Sequence, residues 1–272
     1  MCRTLFKIGP LGIHTYGLML AIAFFIGLAY VYRRAKRERL PVEQMFNLAY
    51  IIVFTGIIGG RLGYVVLHVS EFADDPFSII NPFHSDRIGI AGLNLYGGVV
   101  LALIAAWAYL RIKKLPVLAV FDLVAPTVGI GLGLGRIGCF LNGCCFGTPT
   151  TLPWGVAFPA DSIPSFIYGQ QPLHPAQLYS SAYGFLLFWG LHQLLKRKRF
   201  DGQVMAVYLM VEAVFRYLIE YVRYYETEMK LSFLGMEPTW NQIVSLMLFA
   251  IGLIIYIRVP RRLYRETGAA GS

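Results

Sequence analysis

Charge is scarce in this sequence: Asp, Glu, Lys and Arg make up 14% of its 272 residues, against about 25% in an ordinary soluble domain. With 57% hydrophobic residues, that shortage excludes a water-soluble domain and predicts a polytopic membrane protein. Cysteine is scarce too, and four residues are too few for a disulfide scaffold. A P-loop, a serine nucleophile elbow and an H-E-x-x-H pair are absent, which removes the chemistries that depend on them. Cys139, Cys144 and Cys145 follow a C-x4-C-C spacing that matches no standard zinc pattern, so no metal and no cofactor is expected. The chain shows no internal repeat, no low-complexity stretch and no cleavable leader. Its first apolar run is long, lacks a small-residue cleavage pattern and carries its stronger basic cluster on the far side.

Seven stretches are long and apolar enough to span a bilayer, at about 13–31, 47–69, 93–110, 116–135, 177–195, 203–222 and 241–258. The predicted fold is therefore an all-α integral membrane protein, one seven-helix domain over residues 1–272. The net charge of +9 is a topology signal rather than a nucleic-acid footprint. Arg33, Arg34, Lys36, Arg37 and Arg39 follow the first stretch, and Arg111, Lys113 and Lys114 the third. Lys196 to Arg199 follow the fifth, and Arg258, Arg261, Arg262 and Arg265 the seventh, so sixteen of the twenty-four basic residues share one side. The positive-inside rule puts the amino terminus outside and the carboxyl terminus in the cytoplasm. Two outer segments, about 70–92 and 140–176, are broken repeatedly by proline. Their aromatics, Phe158 among them, read as interfacial, and the tail after Arg265 reads as disordered.

Polar residues inside the apolar stretches concentrate near one end. Gly129–Gly147 contains seven glycines and a single charge, Arg136. A tightly packed helix ending in a loop, with Arg136 reaching for the interface, would account for that composition. An anion met by the guanidinium fork would account for it equally. Arg61 and Arg216 lie at similar depth, by the helical rise of 1.5 Å per residue. His14 and Tyr16 open the first span, Asn94 and Tyr96 the third, and His174, Gln177 and Tyr179 the fifth. Glu212, Arg216 and Glu220 form one stripe at i, i+4, i+8, either a self-neutralising ion-pair ladder or a set in which Glu220 orients Arg216, or accepts a proton, beside a charged ligand. Asp122 lies nearer the cytoplasm and reads as structural.

The residues in this order resemble the bacterial prolipoprotein diacylglyceryl transferases. That family's signature centres on G-R-x-G-N-F-x-N-G-E-x-x-G, and this chain reads GRIGCFLNGCCFG from Gly135 to Gly147. IHTYGLM (13–19), GGRLGYV (59–65), LYGG (95–98), HPAQLY (174–179), FRYLIE (215–220) and NQIVSL (241–246) extend the match over nearly the whole chain. The resemblance implies a multi-pass enzyme of the bacterial cytoplasmic (inner) membrane with its site toward the outer leaflet. It would move the diacylglyceryl group of phosphatidylglycerol to the lipobox cysteine of a preprolipoprotein, the first step of lipoprotein maturation, and release glycerol 1-phosphate. Its partners would be phosphatidylglycerol, signal peptides with a lipobox, and membrane lipid, with no nucleic acid. On that reading the catalytic set is Arg136, Arg216, Glu220 and Tyr96. The substrate-binding set is Arg136, Tyr16, Asn142, Gly147, Arg61, His174 and Gln177, with His174 and Gln177 as braces. Three positions depart from the family pattern. Cys139 and Cys144 replace Asn and Glu, Tyr96 stands at the histidine of H-G-G, and Glu212 stands at a tyrosine. Two alternatives keep the same polar set: a phospholipid head-group transferase with another acceptor, and a non-enzymatic protein that binds or translocates lipid.

Overall fold

The structure, a computed structural model, describes residues 4–8, 11–72, 79, 92–224 and 239–269. A two-stranded sheet, β1 (Thr4–Ile8) and β2 (Leu11–His14), comes first. It adds a short hairpin to the helical architecture expected: apolar residues flank Gly9 and Pro10, a dipeptide that marks a turn. Among the described residues eight α-helices follow: α1 (Thr15–Arg37), α2 (Val42–Leu67), α3 (Leu95–Ile112), α4 (Val117–Asn142), α5 (Ile163–Tyr168), α6 (Ala176–Arg197), α7 (Gln203–Ile219) and α8 (Trp240–Ala269). Seven of them are long. Five, namely α1, α2, α3, α4 and the Trp240–Pro260 part of α8, are long and apolar enough to cross a membrane. The protein is a helical membrane protein in that sense.

Boundaries moved where turn chemistry outweighed hydropathy. α4 runs seven residues past the expected end at 135, so most of the glycine-rich stretch is helix. α8 continues to Ala269, so residues 266–269 of the tail expected to be disordered are helical, and 270–272 lie outside the described residues. Of the 70–92 segment, the described part is the 3-10 turn Val69–Phe72, Ile79 and Gly92; the prolines and aromatics between them lie outside the described residues.

The chain divides into two compact units. The smaller, Lys7–Gly12 and Val31–Val117, holds α2 and α3. Their backbones touch: a Cβ at Gly98 would fall 2.8 Å from the Gly56 carbonyl oxygen. Such small-residue contacts are how helices associate where lipid is the solvent. Asn94 caps α3, its side-chain oxygen accepting from the Gly97 amide at 3.1 Å.

The larger unit, Met1–Phe6, Ile13–Tyr30 and Leu118–Ser272, is built on α4. Its span is 44% buried, against 11–22% for the other four apolar spans. Glycine makes that burial achievable. A Cβ at Gly184 of α6 would lie 2.6 Å from the Gly133 nitrogen and 2.8 Å from the Gly129 oxygen, so the two helices cross backbone to backbone. Ser181 fastens the crossing by donating to the Gly133 carbonyl at 2.9 Å. At the other end of α4, the fully buried Asp122 caps α7 from outside. Its carboxylate accepts from the Gly202 amide at 2.8 Å and the Met205 amide at 2.9 Å, with Lys198 at 3.3 Å. Negative charge there meets the positive end of the helix dipole and satisfies orphaned amides. The structural role expected of Asp122 is what the structure shows.

Candidate functional site

α4 stops where the chain must turn. Asn142 is its last residue, Gly143 (φ 78°) and Cys145 (φ 60°) take left-handed conformations, and the Cys144 amide bonds back to the Cys139 carbonyl at 3.1 Å. The next residues thread between two other segments. The Gly147 amide donates to the His174 carbonyl at 3.0 Å, the Thr148 amide to the Val222 carbonyl at 3.0 Å, and the Tyr224 amide to the Phe146 carbonyl at 3.1 Å. A Cβ at Gly147 would sit 2.5 Å from His174 Cβ and 2.6 Å from the Val222 oxygen. Close backbone packing thus explains this glycine, counted earlier with the substrate-binding set, without any ligand. The segment after it has a core of its own: Phe146, Phe158 and Leu173 are buried against Phe140, Val156, Tyr168 and Tyr224. Phe158 is therefore a core residue rather than an interfacial one, whereas Trp154 and Phe166 are exposed.

Two turns before its end, α4 carries Arg136. This half-buried guanidinium makes no hydrogen bond and no ion pair with any described residue, although its charge reaches Tyr16, Cys145 and Glu212. Tyr16, on the first turn of α1, packs against α4 beside it: a Cβ at Gly138 would touch Tyr16 Cδ2 at 3.1 Å. Asn142 directs its amide to the Cys144 sulfur at 3.6 Å.

The α7 stripe resolves into distinct roles. Arg216 pairs with Glu220 at 3.3 Å, with the Glu220 side chain 1% exposed. The second Glu220 oxygen accepts from the Thr239 hydroxyl at 2.8 Å. Thr239 also opens α8 as a capping box with Gln242: its amide donates to Gln242 Oε1 at 3.0 Å and its hydroxyl oxygen accepts the Gln242 amide at 3.3 Å. Sequence reasoning missed Thr239, though T-x-x-Q before an apolar run was a readable signal. Glu212, one turn before Arg216, leaves Oε2 buried with no hydrogen-bond partner among the described residues, and the Tyr183 hydroxyl is in the same condition.

His174 and Gln177 lie beside the turn that follows α4. Gln177 is fully buried and donates to the Cys144 carbonyl at 2.8 Å. His174 Nδ1 lies 3.3 Å from the Tyr179 hydroxyl, which also accepts from Trp154 Nε1 at 2.7 Å. Arg61 and Tyr96 belong to the smaller unit. Arg61 donates to the carbonyls of Ile79 (2.9 Å) and Gly92 (3.4 Å) and lies over the Phe72 ring, so it organises the carboxyl-terminal end of α2. Tyr96 is half exposed on the first turn of α3. The structure brings together in one unit Arg136, Tyr16, Asn142, Gly147, His174, Gln177, Arg216 and Glu220.

The three cysteines also converge: their sulfurs all lie within 4.8 Å of one another. Hydrogen bonds from Cys139 and Cys144 pull the Cys145 thiol well below its ordinary range. Burial opposes them, and the Arg223 and Arg136 charges add to them.

The family described as prolipoprotein diacylglyceryl transferase matches residues 3–258. Three curated relatives carry the name phosphatidylglycerol–prolipoprotein diacylglyceryl transferase. That of Clostridium tetani is 32% identical over 94% of this chain and 97% of its own. That of Bordetella avium is 33% identical over 96% and 95%, and that of Vibrio cholerae 34% identical over 98% and 94%.

Proposed function

The chain belongs to the prolipoprotein diacylglyceryl transferase family, and from that membership we propose the reaction and the residues that carry it. The protein is a transferase acting on phosphatidylglycerol and a prolipoprotein. The acceptor is the thiol of a lipobox cysteine in the signal-peptide region. Its sulfur forms a bond to the terminal glyceryl carbon of the diacylglyceryl group, and the C–O bond to phosphate breaks. Glycerol 1-phosphate leaves with the electron pair, and the thiol proton passes to a base.

The observation that carries this reading is the guanidinium of Arg136, half-buried and met by no carboxylate ion pair or hydrogen bond among the described residues. A charge in that position demands an anion, and a phosphodiester fits its fork. Arg136 binds the phosphate, with Tyr16 and Asn142 as head-group partners. Arg216 stabilises the second negative charge that develops on the leaving phosphate, which is preorganised electrostatic catalysis. Glu220, held by Thr239, fixes Arg216 and presents no oxygen without a partner. Glu212 does, through its unpartnered Oε2. It stands in for the carboxylate lost at Cys144, and a modest base suffices for a thiol.

All seven long helices span the inner membrane. α6 carries polar residues toward the site, and α7, at 17 residues, is one residue shorter than α3. The basic clusters after α1, α3 and α6 and in α8 face the cytoplasm, which sets Arg136 toward the outer leaflet, where phosphatidylglycerol enters between helices. The test is purified protein in phosphatidylglycerol vesicles with a lipobox peptide, read as the mass of a diacylglyceryl thioether. Product that disappears in Arg136→Ala supports the proposal. Lipid consumed without peptide product would assign a different acceptor. Lipid bound but never consumed would leave a binding protein.

A further inference from the structure

The transfer reaction uses none of the three clustered cysteines. Cys139 lies in the last turns of α4, while Cys144 and Cys145 lie in the turn after it. The chain spacing gave no zinc pattern, yet folding gathers three sulfurs within 4.8 Å of one another. An ion held about 2.3 Å from each sulfur spaces them about 4 Å apart, so closing on one requires a shift of less than about 1 Å. A disulfide would need a single pair to reach about 2 Å, a larger movement that abandons the third thiol.

The donor set is all sulfur. Among the described residues no histidine or carboxylate joins the cluster. Structural zinc takes four ligands and is content with nitrogen, whereas three soft thiolates alone favour Cu(I). The turn is also built in advance. Gly143 and Cys145 hold their left-handed conformations, Gln177 anchors the Cys144 carbonyl at 2.8 Å, and the Asn142 amide points to the Cys144 sulfur at 3.6 Å. Such outer partners orient ligands in known metal sites. Cys139 is buried and the other two sulfurs are half-buried, so an ion enters from the turn.

We propose that Cys139, Cys144 and Cys145 form a trigonal all-thiolate site for a soft metal ion, with Cu(I) as its occupant. On binding, three S–Cu bonds form, each thiol still protonated gives its proton to solvent, and no electron moves. The filled site carries two negative charges, and the Arg136 and Arg223 guanidinium groups are close enough to act on it.

The experiment uses the reduced full-length protein in detergent under argon, titrated with Cu(I) against the chelator bathocuproine disulfonate. One copper per chain should be withdrawn from the chelator, and copper X-ray absorption should show three sulfur neighbours at about 2.3 Å. Cys139→Ser, Cys144→Ser and Cys145→Ser should each weaken binding at least about a hundredfold, while Cys2→Ser should bind as wild type. The proposal fails if wild type with all four thiols titratable leaves copper on the chelator. It fails equally if its absorption spectrum shows nitrogen or oxygen ligands, or if binding survives all three substitutions and is lost in Cys2→Ser. The absorption spectrum of wild type keeps the test decisive even where a serine variant does not fold. Every readout is copper, so loss of lipid transfer is a separate result.

Discussion

α4 carries two charged residues, Asp122 and Arg136, and the protein treats them in opposite ways. Asp122 is fully buried and spends both oxygens: two amides of the α7 start and the Lys198 ammonium meet it. Arg136, fourteen residues on and about 21 Å along the axis, has no hydrogen bond or ion pair to a described residue. A buried charge satisfied on all sides holds a fold together. On the proposed reading, a charge left open is held for an anion that the protein does not itself contain. The same helix thus has a structural end and a chemical end.

The comparison is broken most directly at the chemical end. Arg136→Ala should lower the rate of thioether formation by at least about 10²- to 10³-fold while shifting stability by no more than about 0.5 kcal/mol. Initial rates in phosphatidylglycerol vesicles and melting in detergent read the two quantities separately. A large loss of stability with the rate retained would make Arg136 a structural charge like Asp122. The mirror experiment is Asp122→Ala, which strands the Gly202 and Met205 amides and leaves Lys198 with Asp201 alone. It should cost about 3 kcal/mol of stability, and the rate per folded molecule should not change.

How much of this was legible beforehand follows the same division. The long helices and the open Arg136 could be read because hydropathy and an isolated charge are local signals. So was the structural character of Asp122, although not its task, because a carboxylate that caps α7 from eighty residues away leaves no local trace. The packing demand on Gly147 was hidden for a similar reason: it comes from His174 and Val222, distant in sequence. β1 and β2 were hidden by the hydropathy of the first span. The cysteine cluster was dismissed on spacing, since a turn with two left-handed residues brings together sulfurs that a spacing rule keeps apart.

Between the two ends stands the Arg216–Glu220–Thr239 chain, where support and chemistry meet. Glu220→Gln keeps the shape and removes the charge that holds Arg216, so the rate should fall about tenfold, or about 1.4 kcal/mol. Glu212→Gln should slow the reaction as well, and full activity in that variant would remove Glu212 as the proton acceptor. Thr239→Ala deletes a helix cap and a Glu220 partner together, and should cost about 1 kcal/mol of stability. A Thr239→Ala protein that melts normally but loses activity would move Thr239 to the chemical side.

The smallest expected effect tests whether the structural end is truly electrostatic. Lys198 meets Asp122 at 3.3 Å and Asp201 at 2.9 Å. Burial alone would lower its basicity, but the Asp201 and Asp122 carboxylates outweigh burial and hold the ammonium above its ordinary value. The folded state therefore binds this proton more tightly than the unfolded state does. Its stabilisation is complete below about pH 10.4 and is lost as the pH rises through the folded value. Lys198→Met should cost less than about 1 kcal/mol at pH 7, because the ammonium remains partly exposed. The melting gap between wild type and Lys198→Met should stay level from pH 7 to 10 and close above that. A gap that instead closed toward pH 5 would mean that a carboxylate loses its charge first, with the Lys198 proton carrying none of the dependence.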